Sequence, residues 1–169
     1  LGAAQRRLET LHDRAGAAEV YRLVLEIDED NGDALRFLGD HLYNAGDLAG
    51  AVKVFARMEK SEAERDLDDF DIQIEVALYF FRFAEAMRVL ERDDEALVRY
   101  EQGLKLNPSH LPSLEAVGPL YMIGERWDDA ARVYRQILQL TGGQGDPERL
   151  ARTYTNLGKV EFHLGNLDK

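Results

Sequence analysis

The chain has 169 residues, 45% of them hydrophobic and 31% charged, and 32 acids against 21 bases leave a formal net charge of −11. That sign disfavours a surface that wraps nucleic-acid phosphate by releasing counterions, and it makes an acidic membrane surface an equally poor partner. There is no cysteine, hence no disulfide framework and no thiolate metal site, and the longest apolar stretch, Val76 to Phe81, is far short of the roughly 20 residues that span a bilayer.

In chain order the sequence reads as pairs of amphipathic helices. Ala17 and Tyr21 mark one helix, and Asp28-Glu29-Asp30-Asn31-Gly32-Asp33 follows as an acidic loop. Placing Gly32 at the invariant glycine of a calcium-binding loop puts Ile27 at the first ligand and Leu38 where a bidentate Glu belongs, so the loop is a connection and not a metal site. Next, Leu35, Leu38 and Leu42 fall at steps of three and four, Asn44-Ala45-Gly46-Asp47 breaks the pattern, and Leu48, Ala51, Val52, Phe55 and Met58 resume it. Gly46 suits a left-handed helix end and Asp47 an N-cap, the chemistry of a tight helical hairpin.

Residues 59–71 hold seven acids against two bases and read as a solvated linker running into an acidic helix start at Asp68 or Asp69. Phe70, Ile72, Ile74 and Val76 alternate with polar residues, the local signature of a strand. A lone strand has no ladder partner, so an extended helix over about 69–90 is the better reading, with Phe70, Ile74, Ala77 and Phe81 along one side. Its extra turns would protrude and offer a distinct docking surface. Asn107-Pro108 separates this pair from Leu114, Val117 and Tyr121, a break at Gly124, and Trp127, Ala130, Val133, Tyr134 and Ile137. Pro119 inside the first of these helices should kink it. Thr141 to Gly145 is a flexible connection lacking the Lys and Ser/Thr of a phosphate-binding loop, and Gly145-Asp146-Pro147-Glu148 opens the last helix with a cap and a first-turn proline.

Two independent markers show that these pairs are repeats. A small residue followed four later by an aromatic recurs at Ala17/Tyr21, Ala51/Phe55, Ala96/Tyr100 and Ala130/Tyr134, at spacings of 34, 45 and 34. A large residue followed by a small one recurs at Leu38-Gly39, Phe83-Ala84, Val117-Gly118 and Leu157-Gly158, at spacings of 45, 34 and 40. Both report a period of 34 and the same 11-residue insertion. The small residues let paired backbones approach while the aromatics fill the gaps, and one pair alone cannot bury its apolar face, so the units must stack.

The period, Leu38-Gly39 with Leu42, Gly46, Ala51 and Phe55, and the run Asp93-Asp94-Glu95-Ala96-Leu97 with Tyr100 and Asn107-Pro108 resemble the tetratricopeptide repeat family. The resemblance covers about 1–31, 32–65, 77–110, 111–144 and a partial 151–169, with insertions at 66–76 and 145–150, as one repeat domain reading as part of a longer protein. The usual first-helix tryptophan is replaced by Leu35, Phe80, Leu114 and Tyr154. The family implies an all-α, right-handed α-solenoid of antiparallel helix pairs, here about four and a half repeats and about nine helices, whose first helices line a concave groove. Carried over by matching offset, the groove side shows Arg36, Asp40, Tyr43 and Asn44, then Phe81, Glu85 and Arg88, then Glu115, Pro119 and Met122, and finally Arg152, Thr155, Lys159 and Phe162. Some relatives grip a C-terminal carboxylate with Lys, Arg and Asn at these slots, but Asp40, Glu85, Glu115 and Pro119 here argue against that mode.

The function this implies is a protein-interaction scaffold that binds a peptide or helical segment of a partner protein. The alternative is the targeting or regulatory arm of an enzyme whose catalytic part lies outside these residues. No catalytic residues, metal ligands or cofactors are expected: Ser61, Ser109 and Ser113 sit in no nucleophile elbow, and of His12, His41, His110 and His163 only His163, beside the groove, invites a test. RNA reading by helical repeats is opposed by the charge. The chain shows no signal peptide or transmembrane segment, which favours the cytoplasm; sixteen Arg against five Lys suggest a GC-rich bacterial genome, and uncapped solenoid ends would permit self-association.

Overall fold

The computed structural model describes residues 14–63, 65–142, 144 and 146–165. The first helix expected before Arg14 lies outside them, as do the last four residues, where an uncapped end is expected. The chain forms two compact units, Leu1–Ala96 and Leu97–Lys169. Among the described residues there are eight α-helices and no strand, the all-α class the sequence implies. The first unit holds α1 (Arg14–Ile27), α2 (Gly32–Asn44), α3 (Leu48–Ala63) and α4 (Phe70–Val89). Helix α5 (Asp93–Leu106) begins in the first unit and ends in the second, which continues with α6 (Leu111–Ile123), α7 (Trp127–Thr141) and α8 (Pro147–His163). No described helix is long and apolar enough to cross a membrane.

Four of the eight described helices start at a side-chain cap. Asn31 Oδ1 accepts the Ala34 N–H at 3.1 Å, Asp47 Oδ1 the Gly50 N–H at 2.9 Å, and Asp69 Oδ1 the N–H groups of Asp71 and Ile72 at 2.9 and 3.2 Å. Asp146 does the same for Glu148 and Arg149, with Pro147 in the first turn where its missing donor is not needed. The segment from Phe70 is helical, as the missing ladder partner requires, and its alternating pattern does not make a strand. Pro119 stands exposed on α6, which runs on through it to Ile123.

The hairpin turns share one device. The residue that ends each turn is left-handed at Gly46 (φ 80°), Glu91 (φ 60°), Glu125 (φ 56°) and Gly165 (φ 69°), at the same intervals as the sequence repeat. The next N–H reaches five residues back, from Asp47 to the Leu42 carbonyl at 3.0 Å, Arg92 to Met87 at 3.0 Å and Arg126 to Tyr121 at 2.8 Å, so the last turn's carbonyls are satisfied. The left-handed station of the fourth hairpin is therefore Glu125 and not Gly124, whose φ is an ordinary −80°. Glutamate tolerates it at a cost of roughly 1 kcal/mol.

Within units, α1 packs on α2, α2 on α3, α3 on α4, α6 on α7 and α7 on α8. The two hairpins that each lie within one unit, α2/α3 and α6/α7, close around a missing β-carbon. A Cβ on Gly39 would stand 2.5 Å from Cε1 of Phe55, and one on Gly118 would stand 2.8 Å from Cζ of Tyr134; both rings are buried. The aromatic four residues beyond the small residue of the second helix thus fills the space left by the glycine of its own pair. Gly158 on α8 has nothing within 4 Å, and no helix follows α8 among the described residues. Of the residues replacing the usual tryptophan, Leu35, Phe80 and Leu114 are buried, whereas Tyr154 on α8 is exposed.

The contrast between these glycines is measurable. Gly118→Ala gains helix propensity yet forces the buried Tyr134 ring to move, and the expected net loss is about 1–3 kcal/mol. Gly158→Ala meets no neighbour and should gain roughly 0.5–1 kcal/mol. Urea unfolding of the two variants should move in opposite directions.

Candidate functional site

In the first unit the groove residues expected from the sequence fall on two neighbouring first helices. Asp40 and Tyr43 on α2 meet α4, where Arg82 Nη1 donates to Asp40 Oδ1 at 2.6 Å. Arg88 Nη2 and Nε reach the Glu85 carboxylate at 3.2 and 3.3 Å. Tyr43 is half-buried among these charges. Burial raises its hydroxyl pKa above the usual phenol value, the Glu85 carboxylate adds to the rise, and Arg82 and Arg88 partly offset it. Phe81 is half-buried beside them on α4, and Asn44 is exposed at the end of α2. Five charged or phenolic groups from two helices thus converge on one surface.

Arg36 belongs to a second, connected arrangement. Its Nη1 donates to Glu62 Oε1 at 2.9 Å and its Nη2 to Asp33 Oδ1 at 2.7 Å; Arg65 Nη1 donates to Glu62 Oε2 at 3.1 Å and its Nη2 to Glu75 Oε2 at 2.5 Å. Glu62 is only 1% exposed, so its two guanidinium partners are what make its burial tolerable. Arg36, Glu62, Arg65 and Glu75, together with Asp40 and Arg82, border a cleft of about 210 Å³. Arg82, Glu62 and Arg65 are functional candidates that the sequence reading missed. Their partners lie 42, 26 and 10 residues away or more locally, and only the packing of α2, α3 and α4 brings them into reach.

In the second unit Glu115 and Met122 lie on α6, and Arg152, Thr155, Lys159 and Phe162 form one exposed face of α8. Glu115 Oε1 stands 2.8 Å from Arg149 Nε on α8, a residue absent from the expected set. Tyr134 OH donates to Met122 Sδ at 3.4 Å and accepts from Asn156 Nδ2 at 3.1 Å. His163 is stacked on Trp127 with ring centroids 4.0 Å apart, so it serves packing between α7 and α8. A cleft of about 400 Å³, bordered by Leu104, Lys105, Leu114, Arg132 and Val133, opens among α5, α6 and α7. Beside it Tyr121 OH donates to Glu101 Oε1 at 3.0 Å, and Arg126 Nη1 donates to the same oxygen at 2.8 Å. Burial, reinforced by the Glu101 carboxylate, pushes the Tyr121 hydroxyl up to about 12. No three His, Asp or Glu side chains among the described residues are grouped to hold a metal ion.

Residues 113–148 match the family model of the tetratricopeptide repeat. No curated protein matches the chain in sequence. Several solved structures match in fold. MamA is 19% identical with a TM-score of 0.66, over 96% of this chain and 85% of its own. YrrB, a tetratricopeptide protein with an unusual peptide-binding site, is 17% identical with a TM-score of 0.70, over 95% of this chain and 74% of its own. PilF of Pseudomonas aeruginosa is 20% identical with a TM-score of 0.60, over 95% of this chain and 71% of its own.

Removing both Arg36 and Arg65 by substitution with Ala strands the Glu62 carboxylate in the interior. A loss of about 3–5 kcal/mol is expected, whereas Glu62→Leu should cost under about 1 kcal/mol, and urea midpoints of the two proteins would show the asymmetry. Tyr121 supplies a pH signature. Because its folded pKa lies above the unfolded 10.0, its contribution to stability is complete below pH 10 and is lost as pH rises through about 12. Phenolate absorbance should show this late ionisation, and Glu101→Gln should bring it down.

Proposed function

The chain belongs to the tetratricopeptide repeat family, and we propose that it is a scaffold holding a peptide or helical segment of a partner protein. The segment would lie against the exposed faces of the first helices α2 and α4 of the first unit. The observation that carries this reading is the convergence of Asp40, Tyr43, Arg82, Glu85 and Arg88 on the surface shared by α2 and α4. A half-buried phenol offers apolar area at little entropic cost, and carboxylates and guanidinium groups held by one another are already oriented toward a peptide's donors and acceptors. With Arg82 committed to Asp40 and Arg88 to Glu85, this surface has no excess positive charge for a free carboxylate. It suits the middle of a segment better than its C-terminal end. The peptide-binding site of YrrB, on a similar fold, supports a peptide as the ligand class. On α8, Arg152, Lys159 and Phe162 supply two cations and an aromatic of the kind that anchors interfaces.

Selection of binding peptides from a displayed library on the intact chain, followed by affinity measurement on variants, tests the proposal. Tyr43→Ala and Arg88→Ala should each weaken a selected peptide by about tenfold, or roughly 1.4 kcal/mol, with melting nearly unchanged. Asp28→Ala, in the loop between α1 and α2, should have no effect. An equal loss with Asp28→Ala would show that the peptide does not use these helix faces.

A further inference from the structure

Helix α4 has 20 residues, whereas α2 and α6, which stand at the same place in their repeats, have 13. The additional residues amount to about two turns, or about 10 Å of helix. They are firmly held. Asp69 caps the first turn, Gln73 Nε2 donates to the Leu67 carbonyl at 2.6 Å, and Arg65 joins Glu75 to the buried Glu62. Val76 among them is buried, but one side of the helix is left open. Phe70, Ile74 and Leu78 are 70%, 39% and 37% exposed at steps of four, which sets them in one row along the helix. Around the start of that row stand Asp66, Asp68, Asp69 and Asp71, all exposed. Asp69 is occupied in capping and Asp66 Oδ1 accepts the Asp68 N–H, while the carboxylates of Asp68 and Asp71 bond to no described group.

We propose that this row is a second docking surface, which receives a basic amphipathic helix of a partner protein. The partner's apolar side would lie on Phe70, Ile74 and Leu78, and its Lys or Arg side chains would reach the free carboxylates of Asp68 and Asp71. The charge selects the occupant. An anionic lipid surface or a nucleic acid would be repelled by four aspartates in six residues. A second copy of this chain would bring another −11 to the contact. A segment with apolar residues at steps of three and four and flanking cations satisfies both features at once. Because Phe70, Ile74 and the aspartates lie on or before the extra turns, with only Leu78 reaching the cleft beside Arg36 and Arg82, the row does not depend on the groove reading.

The test uses fluorescein-labelled helical peptides of about 18 residues that share one row of leucines and differ only in Lys or Glu flanks, titrated against the full chain by anisotropy. The Lys-flanked peptide should bind at least about tenfold more tightly than the Glu-flanked one, and less tightly as salt rises. Phe70→Ser with Ile74→Ser keeps the charge and should weaken binding at least about tenfold. Asp68→Asn with Asp71→Asn should weaken it severalfold and flatten the salt dependence, and Tyr43→Ala should leave it within about twofold. Circular dichroism and melting establish that each variant is folded. Undiminished binding to the Phe70/Ile74 variant would reduce the effect to general charge attraction and overturn the proposal. Equal loss with Tyr43→Ala would place the peptide in the groove instead, overturning this proposal while leaving the groove reading intact. A dimer in sedimentation that Phe70→Ser abolishes would show that a second copy covers the row, and would overturn it also.

Discussion

Two glycines set the distance between paired helices, and the rest of each unit follows from the ring that fills the gap. With no β-carbon on Gly39, the Phe55 ring lies against the α2 backbone; with none on Gly118, Tyr134 does the same against α6. Each ring then serves the following helix as well. Phe55 packs edge-on against Tyr79 at 5.7 Å and near Phe83 at 5.7 Å, and its carbonyl accepts the Tyr79 hydroxyl at 2.7 Å. The Tyr134 hydroxyl is bonded by Asn156 of α8. One aromatic therefore closes its own hairpin and registers the next helix, which is the nearest-neighbour coupling expected of stacked repeats. Burying such a ring contributes about 1.5–3 kcal/mol, and that gain depends on the glycine opposite.

Charge is organised on a longer scale than any sequence window displays. The segment from Glu59 to Asp71 reads as a solvated acidic linker, and Asp66 and the residues from Asp68 to Asp71 are exposed. Glu62, in its midst, is instead buried between Arg36 and Arg65, fastening α2 to the end of α3, while Arg65 carries the connection on to Glu75 of α4. A carboxylate so far from water is stable there only because both guanidinium groups arrive together. The linker expected over 59–71 is shorter than its composition suggests, since residues 59–63 belong to α3 and residues 70–71 to α4, and Glu62 is structural.

What the sequence made legible is whatever repeats locally. The 34-residue period, the breaks at Gly46 and near Gly124, and the caps at Asp47 and Asp146 all rest on contacts within four or five residues. The helical state of 70–76 followed from the absence of any partner strand. The break near Gly124 is present, but its left-handed residue is Glu125, because the fold repeats a left-handed backbone angle that glutamate can also adopt. Offsets assigned the expected groove residues to α2, α4, α6 and α8 and to one side of each, because a face is fixed by a 3.6-residue turn. They could not find Arg82, Glu62 or Arg149. Each of these gains its meaning from a partner on another helix, and no periodicity within a single helix records it. Tyr154 shows the converse. Its offset matches positions that are buried elsewhere, but burial requires a neighbouring helix over α8, and the described residues hold none.

The extension of α4 tests whether an insertion is tolerated filler or a built feature. Filler at a helix end frays, since the first turn lacks internal hydrogen bonds and nothing compensates for the ordering of its residues. Here the first turn is capped, the connection before it is tied by Gln73 to Leu67, and Glu75 is drawn by Arg65 into the same network that holds Glu62. Packing within the hairpin gives no reason for the extra turns, because α2 and α6 close theirs with 13 residues. The same turns leave Phe70 70% exposed, which forgoes much of the roughly 1.5–3 kcal/mol its full burial would supply. Order without burial is the arrangement that favours binding, since a surface already rigid gives up little freedom when a partner covers it.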